Sequence, residues 1–224
     1  MTHVIWDWNG TLLDDTRAAV AALNEMLARR SLPPITIEFY RDNFAFPVRP
    51  FYEAIGVDLD NEDWDSLAQE YHETYRRQKG ASLAAGARAT IDALGAKGIG
   101  QSLVSALEQG RLLRDVERFG LAGCFQYVFG TDNLDGASKL ARARDLADRL
   151  RSIHGGGIDL VLVGDALHDK DTADAIGAHC VLFAGGSHSA RRLEAVGPTV
   201  ADLRSLVVVV ERLVGCGRKT IRMV

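Results

Sequence analysis

The sequence predicts an α/β protein, with a parallel sheet covered by helices on both faces and a helical insertion near its start. From residue 86 onwards, short apolar runs typical of buried strands alternate with amphipathic helical patterns, which favours a parallel sheet. Residues 15–84, in contrast, show helical spacing of apolar residues and no convincing strand. Polar residues follow several of the predicted strands, and parallel sheets bind ligands at the carboxyl ends of their strands.

The first predicted strand covers residues 4–6, and an acidic residue follows it directly. Asp7 would lie at the end of a buried strand, where a carboxylate is unfavourable unless it accepts hydrogen bonds or holds a cation. Gly10 then allows a sharp turn that exposes backbone N–H groups. This arrangement is typical of a binding site. The alternative is a helix N-cap, because Asp, Asn and Thr all favour that position.

The helical insertion follows the candidate N-caps Asp14 and Asp15, and its apolar residues recur at helical spacing until Pro33. Residues 35–60 are less regular and contain a cluster of aromatic side chains. Residues 61–80 have the pattern of a long amphipathic helix that stops at a glycine. The insertion is therefore predicted to be helical and to contain no strand.

Beyond the insertion, the apolar pattern changes repeatedly between strand and helix. The runs that we assign to strands are residues 102–104, 127–129, 160–163 and 180–183, of which the last is the final strand. Helices are predicted between these strands, and one of them starts at Lys139. A final helix is predicted over about residues 202–214, where many valines lower helix propensity but apolar residues recur at heptad-like spacing.

Polar residues at the strand ends form a candidate site. The predicted strands end at Asp7, Ser105, Thr131 and Asp165, and the candidate site also includes Asn9, Lys139 and Asp169. Two or three carboxylates without histidine or cysteine partners prefer a hard cation such as Mg²⁺. A lysine and a serine would add a positive charge and a hydroxyl donor. Together with a carboxylate nucleophile, these groups suit phosphoryl transfer.

Composition argues against several classes of protein. The chain has 224 residues and a formal net charge of -4, so it has no basic footprint for nucleic acid. Its longest aliphatic run, residues 206–210, is far too short to span a membrane. Three scattered cysteines give no disulfide framework or zinc spacing, so we expect a cytoplasmic protein. The first strand begins too early to leave room for a signal peptide, and nothing in the sequence indicates an oligomeric state.

Four motifs occur in the order known from one enzyme family. They are Asp7-Trp8-Asn9-Gly10-Thr11, then Ser105, then Lys139, and finally Gly164-Asp165 with Asp169. In these motifs the chain resembles the haloacid dehalogenase-like superfamily, in its phosphoglycolate-phosphatase-like branch. The resemblance implies a Rossmann-like parallel sheet core formed by residues 1–14 and 85–224, with an α-helical cap domain formed by residues 15–84.

The resemblance also implies roles for the motif residues. Asp7 would be the nucleophile and form an aspartyl-phosphate. The phosphate would be bound by Gly10, Thr11, Ser105, Lys139 and the backbone N–H of Ala106. Mg²⁺ would be ligated by Asp7, Asp165 and the main-chain carbonyl of Asn9, with Asp169 holding the ion or its waters. The implied activity is Mg²⁺-dependent hydrolysis of a small phosphorylated metabolite.

Asn9 departs from the pattern of the family's phosphatases, in which a second aspartate protonates the leaving group and later activates water. An amide cannot exchange a proton at neutral pH, and loss of a general acid–base typically costs roughly 10² to 10⁴-fold in rate. The penalty is smaller for leaving groups that need no proton, such as aryl phosphates. The substitution leaves three alternatives open: a dehalogenase, a carbon–phosphorus hydrolase, or a catalytically weak phosphate-binding protein.

The remaining candidate residues are less specific. Arg49, among the aromatic residues of the insertion, is the candidate for binding a substrate anion, and the alternative is a solvent-exposed arginine. Asp171 competes with Asp169 for the metal. His168 lies between acidic residues and could approach the site, and Lys139 could instead start a surface helix.

Overall fold

The computed structural model describes residues 1–131, 138–155 and 157–217. Its strands are β1 (Thr2–Trp6), β2 (Leu13–Asp14), β3 (Ser82–Leu83), β4 (Gly100–Glu108), β5 (Val128–Thr131), β6 (Asp159–Gly164), β7 (His179–Phe183) and β8 (Thr199–Val200). Its helices are α1 (Thr16–Arg29), α2 (Ile37–Asn43), α3 (Arg49–Ala54), α4 (Trp64–Arg77), α5 (Ala87–Ala96), α6 (Gln109–Arg118), α7 (Ser138–His154), α8 (Leu167–Ala175), α9 (Ala190–Glu194) and α10 (Leu206–Gly217). A short 3-10 helix, Leu203–Ser205, precedes α10.

The central feature is a sheet with the strand order β5-β4-β1-β6-β7-β8. Every pairing in this sheet is parallel, which confirms the predicted fold class. The chain runs outward from β1 to β4 and β5, and then crosses to the other side to form β6, β7 and β8. Strands β1 and β6 therefore flank the point where the winding direction changes, which is the usual ligand-binding position in such sheets.

The sheet is buried on both faces, as its apolar strands require. Along β1, Val4 and Trp6 belong to one hydrophobic cluster and Ile5 to the other, because successive side chains of a strand point to opposite faces. Helices α5, α6 and α10 contribute apolar residues to the first cluster, and α7 and α8 contribute to the second. No helix in the described ranges is both long and apolar enough to cross a membrane.

Between β2 and β3 the chain forms the four helices α1 to α4. They enclose a hydrophobic cluster of their own, which includes Val20, Leu23, Tyr52 and Leu67. The stretch over residues 35–60 contains two helices, α2 and α3. Each of these helices begins at a local signal. The Thr36 side chain caps α2 by accepting from the Phe39 N–H, and a proline occupies the first turn of α3.

Three details of the predicted strands are wrong. Residues 15–84 do contain a strand, β3, which pairs antiparallel with β2 because the segments leading into and out of the helices run side by side. Strand β7 is not the last, since β8 follows it, and two residues are too few to give a recognisable pattern. Ser105 does not end its strand, because β4 continues to Glu108 after an irregularity in its pairing with β5.

Candidate active site

The predicted acidic residues meet where β1 and β6 end. Asp7 follows β1, and its N–H donates to the carbonyl oxygen of Val163 at 2.8 Å. Asp165 follows β6, and Asp169 lies one helical turn further on, in α8. All three carboxylates are buried, although carboxylates are normally exposed. The three carboxylates therefore form a candidate site, in which Asp169 also accepts from the N-cap N–H of α8.

Lys139 joins two of these carboxylates. Its Nζ lies 2.8 Å from Asp7 Oδ1 and 2.7 Å from Asp169 Oδ1. Burial lowers the pKa of Lys139, but the charges of Asp169 and Asp7 outweigh this effect and hold the pKa above its usual value. The residue lies in the first turn of α7 and is 4% exposed. It is thus a buried cation within the acidic group and not the start of a surface helix.

Asp169 organises the turn after β6. Its Oδ2 accepts from the N–H groups of Asp165 at 3.0 Å and Ala166 at 2.9 Å, while Oδ1 faces Lys139. A side chain at Gly164 would overlap the Asp169 carboxylate, which explains the glycine. Asp171, the competing candidate, is exposed. The structure therefore brings Asp169 to the acidic group and leaves Asp171 outside it.

Asp165 is held by donors from two loops. The hydroxyl of Thr11 donates to Oδ1 at 2.8 Å, and the N–H of Ser187 donates to Oδ2 at 2.6 Å. Side chains at Gly10 or Gly186 would overlap this carboxylate, and Gly10 also has a φ of 75°. Gly10 and Thr11 thus make room for Asp165 and orient it. Sequence reasoning missed Ser187, which lies in a loop without any recognisable motif.

The acidic group fits a divalent cation. One carboxylate oxygen from each of Asp7, Asp165 and Asp169 lies within 4.8 Å of the others. Burial raises the pKa of Asp7, Lys139 opposes this effect, and the neighbouring carboxylates raise the pKa further. Burial and Asp169 also raise the pKa of Asp165. Three carboxylates beside one lysine leave excess negative charge, and an all-oxygen donor set suits Mg²⁺. Asp165 and Asp169 each accept hydrogen bonds within the protein at both carboxylate oxygens, and Asp169 is the one of the two that also pairs with Lys139.

Ser105 lies at the same edge of the sheet as Asp7. Trp6 pairs with Leu103, so Ser105 is two residues further along the neighbouring strand. The serine is buried, and its Oγ accepts from the N–H of Leu107 at 3.1 Å. The carbonyl oxygen of Ala106 accepts from the Thr131 hydroxyl at 3.0 Å. In this irregular segment of β4, the Ser105 hydroxyl oxygen and the Ala106 carbonyl oxygen are thus both engaged in hydrogen bonds within the protein.

Asn9 is held by two residues that sequence reasoning did not assign to the site. Its Nδ2 donates to Asp15 Oδ2 at 2.7 Å and to the Tyr75 hydroxyl oxygen at 3.2 Å. Asp15 Oδ1 also accepts from the Gly10 N–H at 2.8 Å, and the Tyr75 hydroxyl donates to Asp15 Oδ2. Burial raises the pKa of Asp15, and the hydrogen bonds from Tyr75, Asn9 and Gly10 oppose this rise. The sequence identified Asp15 only as a candidate N-cap, but its side chain caps no helix N–H.

Arg49 is not brought to the acidic group. Its side chain is exposed and its guanidinium lies 5.0 Å from the ring centre of Trp64, at the start of α4. Tyr75, which contacts Asn9, lies near the other end of this helix, roughly 16 Å away at 1.5 Å per residue. His168 is half-buried, with its ring 5.4 Å from that of Phe46 in the helical insertion.

Comparison with known proteins agrees with this architecture. A family model described as haloacid dehalogenase-like hydrolase matches residues 4–183. A phosphoglycolate phosphatase from Pseudomonas putida is 25% identical over 217 residues, which cover 91% of this chain and 78% of the relative. A predicted phosphoglycolate phosphatase from Haemophilus somnus superposes with a TM-score of 0.70 at 17% identity, covering 92% of this chain and 96% of its own. A haloacid dehalogenase-like protein from Agrobacterium tumefaciens reaches a TM-score of 0.75 at 19% identity, covering 94% and 98%. The two structures establish a shared fold.

Proposed function

The chain belongs to the haloacid dehalogenase-like hydrolase family, and on that premise we propose that it is a Mg²⁺-dependent phosphatase acting on a small phosphorylated metabolite. The observation that carries this proposal is the buried group in which Lys139 bridges Asp7 and Asp169, with Asp165 beside them. The relatives named as phosphoglycolate phosphatases support the substrate class. The proposed location of the enzyme is the cytoplasm.

We assign residues 1–14 and 85–224 to an α/β core domain and residues 15–84 to a helical cap domain. Two observations support this division. The helices of the cap have a hydrophobic cluster of their own, and the paired strands β2 and β3 form both connections to the core. Tyr75 reaches from the cap to Asn9, so the cap would cover the site and exclude water from it.

In the first step, a carboxylate oxygen of Asp7 attacks the phosphorus atom and the bond from phosphorus to the leaving-group oxygen breaks. The ammonium group of Lys139, which contacts the Asp7 carboxylate, would neutralise negative charge between that carboxylate and the incoming phosphate. The hydroxyl of Ser105 and the N–H of Ala106 would bind phosphate oxygens. Mg²⁺, when held by Asp7, Asp165 and the main-chain carbonyl of Asn9, would supply positive charge that offsets the developing negative charge.

In the second step, water attacks the phosphorus atom of the aspartyl-phosphate, which releases inorganic phosphate and restores the Asp7 carboxylate. Asn9 cannot accept the proton of that water, because an amide is not a base at neutral pH. Its side chain can orient the water by a hydrogen bond but cannot deprotonate it. We therefore expect slow release of the phosphoryl group and a preference for leaving groups that need no proton, such as aryl oxides.

A second candidate is a catalytically weak phosphate-binding protein, which the amide at position 9 favours. Turnover of an aryl phosphate, with and without Mg²⁺, separates the two candidates. The wild type should turn over the aryl phosphate only with Mg²⁺, and Asp7→Asn should abolish turnover. Asp171→Asn is the matched control, since this aspartate is exposed and lies outside the acidic group. Metal-independent turnover, or full activity of Asp7→Asn, would contradict the proposal.

The metal and the substrate are tested in the same preparation. Mg²⁺ should raise the melting temperature of the wild type, because a ligand that binds only the native state stabilises it. Asp165→Asn should remove this response, and Asp171→Asn should keep it. A panel of phosphorylated metabolites that includes phosphoglycolate would then identify the substrate by its kcat/KM.

A further inference from the structure

The buried carboxylate of Asp15 has no role in the steps described above. It is 5% exposed and accepts hydrogen bonds from Asn9, Gly10 and Tyr75. These donors come from the loop after β1 and from helix α4, which are far apart along the chain. A side chain that only capped α1 would bond to N–H groups of that helix, and Asp15 does not. Its contacts are directed at the residue two positions after the nucleophile.

We propose that Asp15 is a positioning residue that fixes the orientation of Asn9, and that Tyr75 completes this arrangement from helix α4. The inference rests on the proposed function, because it gives a task to a residue beside the proposed nucleophile. It assigns no proton transfer to Asp15, which acts only as a hydrogen-bond acceptor. Asn9 and Asp15 would then work as a matched pair, with the donor at position 9 and the acceptor at position 15.

Asp15 fixes the orientation of the side-chain amide of Asn9. An amide carries its nitrogen and its oxygen on opposite sides of Cγ. Since Asp15 accepts from Nδ2 at 2.7 Å, the oxygen Oδ1 must point away from Asp15. Asn9 thereby presents a hydrogen-bond acceptor in one fixed direction. Without Asp15, the Asn9 amide could rotate by about 180°, so that Nδ2 and Oδ1 would exchange places.

Asp15 also holds the main chain at Gly10. The other oxygen of Asp15 accepts from the N–H of Gly10 at 2.8 Å. Gly10 has a φ of 75° and lies against Asp165. One carboxylate therefore holds both the side chain of residue 9 and the peptide group that follows it. The carbonyl of that peptide group is the proposed main-chain ligand of the ion.

Helix α4 contributes to the same arrangement through Tyr75. Tyr75 belongs to α4, and its ring lies 5.1 Å from the guanidinium of Arg111 in α6. It also stacks on Tyr71, with 6.0 Å between the ring centres. The ring is therefore held between the cap and the core, and its hydroxyl meets both Asn9 and Asp15. The orientation of Asn9 thus depends on α4 lying over the site.

The test compares Asp15→Asn, Tyr75→Phe and the exchange variant Asn9→Asp/Asp15→Asn in the Mg²⁺-loaded full-length protein. Asp14→Asn is the matched control, since Asp14 is exposed and adjacent. Asp15→Asn has the same shape, but its NH₂ group must face either the donors of Asn9 and Tyr75 or the N–H of Gly10, so one side of the arrangement is lost. Misplacement by about 1 Å can cost about 10²-fold, so we expect kcat for an aryl phosphate to fall by about that factor while KM changes little. Tyr75→Phe keeps the ring and loses one hydrogen bond, for an expected loss of about 3- to 10-fold.

A double-mutant cycle on melting temperature gives a readout that needs no activity. Asn9→Asp and Asp15→Asn should each lower it, and the exchange variant should recover most of the loss, because a donor again faces an acceptor. If the melting-temperature changes of the two single variants simply add in the exchange variant, the proposed pairing of Asn9 with Asp15 is wrong. If the wild type is an active phosphatase and Asp15→Asn matches Asp14→Asn in kcat, the inference fails while the proposed function stands. If the wild type hydrolyses no phosphate ester, the proposed function fails, and the cycle still reports the pairing.

Discussion

At the scale of single residues, His3 shows how a buried ring in β1 links stability to pH. The side chain is 2% exposed, and its Nε2 lies 2.8 Å from the Ser102 hydroxyl oxygen. Burial, together with the charge of nearby His154, lowers the pKa of His3 to about 4. An unfolded histidine titrates near 6.5. Between these values the unfolded state binds more protons than the native state, so the free energy of unfolding falls as the pH is lowered.

We therefore predict that His3→Gln reduces the loss of stability between pH 7 and pH 4. The contribution that it removes is at most about 3 kcal/mol, at 1.36 kcal/mol per unit of pKa. Urea unfolding of wild type and variant at several pH values measures the difference directly. His179→Gln is the control, because that histidine is exposed at the start of β7. Equal pH slopes in wild type and His3→Gln would show that His3 is not the group responsible.

The residues of the site differ in how far the sequence reveals them. Asp7 and Asp165 could be predicted to meet, because each follows a buried strand and parallel strands end at one edge. Asp15 and Tyr75 could not be linked, since their contact joins positions 60 residues apart through the packing of α4 on α1. Asp15 also has the local signature of a helix cap. Residues whose partners are set by tertiary packing leave no trace in local spacing.

At the scale of elements, hydrogen bonds join α2 of the helical insertion to the segment after β7. The guanidinium of Arg41 donates to the carbonyl oxygens of Gly185 at 2.8 Å and Gly186 at 2.9 Å. In return, Arg192 of α9 donates to the carbonyl oxygens of Arg41 and Phe44. The next residue after Gly186 is Ser187, whose N–H binds Asp165. The same loop thus contacts the cap on one side and the acidic group on the other.

We predict that Arg41→Ala loosens α2 without unfolding the core. Two hydrogen bonds from a charged donor are lost, each worth about 1.5–3 kcal/mol at most, and the half-buried side chain is removed. Hydrogen exchange should become at least about tenfold faster over residues 36–44 and stay unchanged in β1 and β6. Arg144→Ala, on the exposed side of α7, serves as the control. Unchanged exchange over α2 would contradict the prediction and show that the bonds from Arg192 and apolar packing hold α2 without the Arg41 side chain.

Short elements explain most of the differences between the predicted and the observed fold. Strands β1, β4, β6 and β7 have apolar runs long enough to be recognised. Strands β2, β3 and β8 have two residues each: β8 adds to the edge strand β7, and β2 and β3 pair only with each other. Pairing of this kind is a consequence of the assembled fold. It therefore cannot be read from local sequence.

At the scale of the whole molecule, the order of the strands concentrates charge at one place. The sheet changes its winding direction between β1 and β6. The segments that follow these two strands, with the first turns of α7 and α8, bring three carboxylates and one lysine together in a buried space. The helical insertion lies between β2 and β3 in the chain, and β2 follows the loop that carries Asp7 at the end of β1. The fold thus places the helical insertion beside the one cluster of three carboxylates suited to a metal ion that the described ranges contain.

The central claim is that Asp7 becomes phosphorylated during turnover, and rapid acid quench followed by mass spectrometry tests it most directly. Because Asn9 cannot activate water, the second step should be slow and the phosphorylated enzyme should accumulate with an aryl phosphate and Mg²⁺. We predict one phosphoryl group on the peptide that contains Asp7, released by hydroxylamine and absent in Asp7→Asn. Turnover by the wild type without any such adduct, or an equal adduct on Asp7→Asn, would contradict the account.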